Sequence, residues 1–420
     1  MQQHQPEAGA GPHKSAPQPA HSATAFVASF LGWTLDAFDF FVLVFVIPAV
    51  AREFRRPISD IAFTITLTLI MRPVGALLFG WMADIYGRRL PLLIDVVFYS
   101  AVEVLSGLAP TYGWFLLLRA LYGIGMGGEW GVGASLAMEA VSSKRRGLMS
   151  GLLQEGYAFG YLLAAAAFFF IFPRFGWRAL FYAGGLPALL TLFIRARVPE
   201  SKAWERRRPS ASEIVDSIRG NLGGFMYMVA LMTMMNLISH GTQDMYPTFL
   251  ERQRNFDPHL VASMAIIYNI GAIAGGLFFG EFSDRIGRRR AMVTAVLLAV
   301  LVLPLWIYAH SLWALALGAF LMQAMVQGAW GVIPAHLVEL SPPAVRGLFP
   351  GLAYQIGVLL AANAAYAESL MAVRIGYANA LAVVAFTVLT LGAVVIALGR
   401  EQAGIDLHAD PIDYWKSAVT

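Results

Sequence analysis

Apolar residues run along this chain in blocks of about twenty, separated by short polar stretches rich in arginine. Six blocks fall near residues 24–50, 60–83, 91–110, 113–138, 147–172 and 178–196. A polar stretch over 197–222 follows, and then six more near 223–249, 260–282, 291–309, 313–338, 347–370 and 375–399. At about 1.5 Å of helix rise per residue, about twenty residues span a hydrocarbon core of about 30 Å. The pattern predicts an all-α polytopic membrane protein with twelve transmembrane helices, spans 1 to 12. Spans 1–6 form an N-terminal half (23–196) and spans 7–12 a C-terminal half (223–399), joined by a cytoplasmic linker (197–222). The Pro-, Gln- and Ala-rich stretch 1–22 reads as a disordered tail without signal-peptide character, and 400–420 as a second polar tail.

Composition agrees: 58% of the 420 residues are hydrophobic and 13% charged, against about 25% charged in soluble domains. Soluble enzymes and disordered chains are therefore poor fits. With no cysteine, disulfides, thiolate metal sites and cysteine nucleophiles are excluded. The net charge of +4 reflects topology rather than nucleic-acid binding, because the basic residues lie in short loops. With the amino terminus inside, the cytoplasmic loops hold 17 Lys and Arg and the external loops 8. The positive-inside rule then places both termini in the cytoplasm and the protein in the cell membrane.

The chain repeats itself at an offset of 200 residues. Gly80, Asp84, Gly87, Arg88 and Arg89 recur as Gly280, Asp284, Gly287, Arg288 and Arg289. Trp130, Glu139, Arg146 and Gly147 recur as Trp330, Glu339, Arg346 and Gly347. Six spans fit within the offset, so the copies face the same side, as in transporters built from parallel repeats.

These loops resemble the signature of the major facilitator superfamily, and the Glu139–Arg146 spacing and Pro199-Glu200-Ser201 are similar to its sugar-porter and metabolite–proton branches. In span 7, Asn236, Ser239, His240, Thr242, Gln243, Asp244 and Thr248 resemble a motif of fungal lactate/pyruvate–proton permeases. The sequence Gly32 to Phe40 resembles the related sialate–proton symporters, bacterial sialic acid transporters among them. The resemblance implies the major facilitator fold and import of a small organic anion, foremost a monocarboxylate such as lactate or pyruvate, together with protons. Sialic acid or another organic acid is the alternative, and a non-transporting membrane sensor of the same anion a more distant one. The expected partners are that anion, the proton and the bilayer, with a monomer as the working unit and no cofactor beyond the coupling proton.

Ionisable side chains inside a span cost about 2.5–3.5 kcal/mol each on insertion scales, so those present point to function or to fixed ion pairs. Asp36 and Asp39 share a face of span 1 at spacing i, i+3, where mutual repulsion favours holding a proton. Glu129 in span 4 is a second candidate for proton coupling, and Asp244 a further one. Arg72 precedes Pro73, which favours a kink that frees carbonyls towards the cavity. Its guanidinium suits a substrate carboxylate or a span 1 aspartate. Arg119 fits substrate binding and an intradomain ion pair equally well. In span 7, Asn236, Ser239, His240, Gln243 and Asp244 form one polar stripe at spacings 0, 3, 4, 7 and 8. Asn363 in span 11 is another substrate donor. Asp84, Arg88, Arg89, Glu139 and Arg146, with Asp284, Arg288, Arg289, Glu339 and Arg346, sit at helix ends, where they would bridge the halves as a cytoplasmic gate.

Overall fold

The computed structural model describes residues 19–185, 189 and 197–408. Among them every regular element is a helix, and ten helical stretches are long and apolar enough to cross a membrane. The chain is thus a multi-pass membrane protein. Spans 1 to 4 are the helices Pro19–Phe54, Ile58–Tyr86, Arg89–Gly107 and Tyr112–Ala140. Span 4 is glycine-rich and stands outside the ten. Spans 8, 9, 10 and 12 are Pro258–Ile286, Arg288–Tyr308, Leu312–Leu340 and Tyr377–Leu398.

Three spans are broken. Span 5 consists of Arg146–Gln154 and Gly156–Phe170, span 7 of Leu222–Gln243 and Tyr246–Arg252, and span 11 of Phe349–Ala361 and Ala364–Ile375. No proline marks the breaks of spans 5 and 11, whereas Pro247 stands in the first turn of the second segment of span 7. Pro48, Pro73, Pro304 and Pro334 instead lie inside continuous helices. The helix of span 2 runs on through Pro73, beside which a kink is expected. Helix neighbours in a bundle can re-satisfy what a proline leaves open.

Other boundaries also shift. Span 1 begins at Pro19, within the stretch that reads as a tail. Within Phe172–Ala183 the chain turns at Gly176 (φ 73°), after which it enters the block expected as span 6, and most of residues 186–196 lie outside the described part. The linker carries two short helices, Lys202–Arg207 and Ala211–Gly220. The second starts with a capping box in which Ser210 and Glu213 satisfy each other's backbone N–H.

Within each half the same partners pack: span 2 on span 4 and span 1 on span 5, matched by span 8 on span 10 and span 7 on span 11. The halves meet where span 5 lies on span 8 and span 11 on span 2. Gly131 and Gly351 touch across that boundary: a Cβ on Gly131 would lie 2.6 Å from the Cα of Gly351. Buried apolar side chains form two cores, one within spans 1–6 and one centred on spans 7–12 that reaches Trp33, Trp130 and Leu153.

Candidate functional site

The N-terminal half buries a group of ionisable side chains at mid-span. Asp36, Asp39, Glu129, Asp95 and Glu103 are all essentially inaccessible, as are Arg72 and Arg119. The tyrosine hydroxyl of Tyr122 donates to the Asp36 carbonyl oxygen (3.0 Å) and more weakly to its Oδ1 (3.4 Å). Neither carboxylate oxygen of Asp39, Glu129 or Asp95 has a hydrogen-bond partner, and Oδ2 of Asp36 has none. Glu129 packs against Gly32 of span 1, so the acids of spans 1 and 4 adjoin.

Arg119 is engaged. Its Nη2 bonds Glu103 of span 3 at 2.5 Å and the Ser106 hydroxyl at 2.6 Å. Its guanidinium also lies 4.6 Å from the centre of the Tyr122 ring, within cation–π range. Of the two readings open for Arg119, this geometry is the intradomain ion pair: a buried guanidinium already bonded to a carboxylate has little left for a substrate.

Arg72 differs. It lies at the seam between the halves, 5.7 Å from the ring of Tyr354 on span 11, and its Nε and Nη2 have no hydrogen-bond partner. Tyr354 in turn packs on Trp130 (4.5 Å between ring centres) and Trp330 (5.9 Å), so the ring that faces this cation belongs to an aromatic cluster drawn from both halves. Asp36 is within electrostatic range of it.

Two members of the span 7 stripe find partners on span 10, and the other three find theirs on span 7 itself. Ser239 accepts from the Trp330 indole (2.6 Å), and the Gln243 amide donates to Gln323 (2.9 Å). The Asn236 amide bonds back to Met232 of its own helix. His240 Nδ1 lies 2.8 Å from Asp244 Oδ2, and both side chains are about one-third exposed (35% and 37%). The helix ends at Gln243, so Asp244 stands at the break. Asn363 is exposed at the corresponding break of span 11. The structure thus links the stripe to span 10 through Ser239 and Gln243.

At the end of the bundle that carries the loops 2–3, 4–5, 8–9 and 10–11, here the basic face, all ten gate candidates come together. Gly87 and Gly287 turn the chain at φ of 96° and 98°, a region open to glycine, which lets span 3 and span 9 start at once. Asp84 accepts from the backbone N–H of Gly347 (2.7 Å) and Leu348 (3.0 Å), and Asp284 accepts from Gly147 (2.8 Å) and Leu148 (3.1 Å). Each half therefore supplies a carboxylate to the open N-terminus of a helix in the other, where orphan N–H groups and the dipole favour it.

Arg88 ties Asp84 (2.8 Å) to Glu139 (3.1 Å), and Arg288 ties Asp284 (2.7 Å) to Glu339 (2.9 Å). Arg146 crosses to Glu339 (2.8 Å) and Arg346 to Glu139 (3.7 Å). Glu139 is thus met by Arg88 of its own half and by Arg346 of the other. Glu200 takes the backbone N–H groups of Arg88 (2.8 Å) and Arg89 (3.2 Å), and Glu401 takes those of Arg288 (3.1 Å) and Arg289 (2.9 Å). Burial still raises the Glu200 carboxyl. The segment after span 12 continues over this face, where Ile405 and Leu407 accept from Arg146 and Arg346 through their carbonyls.

Residues 24–267 match the family described as "Sugar (and other) transporter", and residues 224–411 match "Major Facilitator Superfamily". The first match alone covers more than half of the chain. The chain belongs to the major facilitator superfamily. This transporter is 30% identical over 377 residues to a carboxylic acid transporter protein homolog of Saccharomyces cerevisiae, covering 83% of its own length and 61% of that relative's. It is 29% identical over 345 residues to the sialic acid transporter NanX of Escherichia coli, covering 79% of its own chain and 83% of the relative. In fold it matches the proton:xylose symporter XylE with a TM-score of 0.74 at 19% identity, over 92% of this chain and 98% of that one.

The transporter's interior holds further polar residues that the sequence does not set apart. Glu103 and Asp95 of span 3, Gln323 of span 10 and Glu368 of span 11 are all buried. The signal that singles out Asp36 and Glu129, an ionisable residue in an apolar block, applies equally to Asp95, Glu103 and Glu368. Only contacts between spans tell partnered from unpartnered.

Proposed function

We propose that this transporter carries a small organic anion, foremost a monocarboxylate such as lactate or pyruvate, into the cell together with protons. The observation that carries the reading is Arg72, a buried guanidinium at the seam of the halves with two nitrogens unbonded. A carboxylate presents two oxygens that match such a fork. Behind it, Asp36, Asp39 and Glu129 are buried carboxyls with unpartnered oxygens, costly as anions and therefore suited to hold the coupling proton. The names of the yeast and Escherichia coli relatives support an organic acid as substrate.

In this reading the basic face is cytoplasmic, both termini lie there, and a single chain in the cell membrane is the working unit. Anion and proton enter from the opposite face, and their charges cancel at Arg72 and the span 1 acids. The Asp84 and Asp284 contacts then release as the halves rock. The purified chain in vesicles, with an inward proton gradient and a competing panel of lactate, pyruvate, acetate and sialic acid, tests this. Lactate or pyruvate uptake that collapses with a proton ionophore is expected, with accumulation lost in Asp39→Asn. Uptake indifferent to the ionophore would sink the coupling, and sialic acid as the strongest competitor would replace the monocarboxylate.

A further inference from the structure

Outside the deep cluster around Arg72, one acid is buried without a partner at the other end of the C-terminal half. Glu368 sits on Ala364–Ile375, the segment of span 11 beyond its break and away from the basic face. It is 1% exposed, and neither Oε1 nor Oε2 has a hydrogen-bond partner. Its helix packs on spans 7 and 12. Span 12, Tyr377–Leu398, carries no charged side chain. From span 7, Asp244 acts electrostatically on Glu368, and Asp244 is in turn held by His240 at 2.8 Å.

We propose that Glu368 is a second proton-binding site of the transporter, linked through Asp244 to His240. A carboxylate sealed from water with no donor, beside another carboxylate, is disfavoured as an anion. A proton taken from hydronium on the open side breaks one O–H bond there, forms one on Glu368, and leaves a neutral acid and a water molecule. His240 is about one-third exposed and hydrogen-bonded to Asp244, so it can take a proton as well. A proton on His240 offsets the charge of Asp244 and so makes it easier for Glu368 to release its own. The two sites thus exchange occupancy through the aspartate between them. The breaks in spans 7 and 11 lie beside this group, so its charge state acts where both helices are interrupted.

Whether this proton travels with substrate rests on the proton-coupled reading above; the binding itself does not. Infrared titration of the purified full-length protein in lipid reads it directly through the carbonyl stretch of protonated carboxyl groups. A component of that band should titrate in the native protein and be missing in Glu368→Gln. Glu368→Asp, which keeps the acid, should retain a titrating component and so separates loss of the proton site from loss of fold. In Asp244→Asn, Glu368 loses a neighbouring negative charge, so the midpoint of its component should move. A band unchanged in Glu368→Gln, or a midpoint unmoved in Asp244→Asn, overturns the proposal. A native protein whose uptake ignores the pH gradient would overturn the coupling reading and leave this titration to decide Glu368 on its own.

Discussion

The two halves are alike at the basic face and unlike in the membrane. At the face, Asp84 and Asp284 cap helices of the opposite half, Arg88 and Arg288 each join two acids, and Glu200 and Glu401 hold the starts of spans 3 and 9. In the interior, the N-terminal half buries Asp36, Asp39, Asp95, Glu103 and Glu129 with Arg72 and Arg119. The C-terminal half offers amides, the His240–Asp244 pair and Glu368 instead. A duplicated fold keeps its symmetry where both copies do the same work, which here is to close one end by trading helix caps. It loses symmetry in the interior, where the two copies bury different polar side chains.

The largest test of that contrast lies in the fixed pair of the N-terminal half. Breaking one side of a buried ion pair costs about 3–5 kcal/mol. Arg119→Met should therefore lower the melting temperature of the purified protein sharply, and Arg119→Met with Glu103→Leu should recover most of the loss. A double variant no more stable than the single one would mean that Arg119 is not held mainly by Glu103. Next comes Arg72. Lysine keeps the charge but loses the fork, and a loss of about 3 kcal/mol in charged hydrogen bonding corresponds to about 100-fold weaker binding. Equilibrium binding of the preferred anion to Arg72→Lys checks it, and affinity within threefold of native would remove Arg72 from the substrate site.

Smaller effects probe the symmetric face. Asp84→Asn and Asp284→Asn each replace charge-assisted bonds to two N–H groups with weaker ones. Each should shift the closed population by about 1–2 kcal/mol, on the order of tenfold. The chain has no cysteine, so a single cysteine placed on this face reports opening by its labelling rate without background. Equal rates in the two variants sharpen the equivalence; a rise in one alone breaks it. Least of all, Gln323→Leu removes the partner of Gln243 and should weaken anion binding by about 1 kcal/mol, less than tenfold. Loss on the scale of Arg72→Lys would move the centre of the site to span 10.

Much of this architecture is legible in the sequence. Hydropathy marks the spans because lipid demands unbroken apolar length, and the offset of 200 residues marks the basic face because its geometry fixes residue types at both copies. Partnership is not legible. Nothing in the sequence around Arg119 tells that Glu103 of the preceding span reaches it, whereas Arg72, an arginine in the same kind of apolar block, keeps two nitrogens unbonded. The helix breaks are hidden too. Asp244 and Asn363 sit in blocks that read as continuous, while Pro73, the residue that suggests a kink, lies in a helix that runs through it. Backbone continuity in a bundle depends on which neighbour can supply a bond, and hydropathy does not encode that.

The position of Glu401 redefines what was copied when this chain acquired its second half. Glu200 stands in the connector and Glu401 beyond the last span, yet both seat the helix that follows a Gly-Arg turn. The repeating unit therefore does not stop at the membrane; it includes the first residues to leave it. Cutting the chain after residue 399 would leave every apolar block intact and still remove part of the second copy, while a fusion partner attached there would pull on the same contacts that join the two halves.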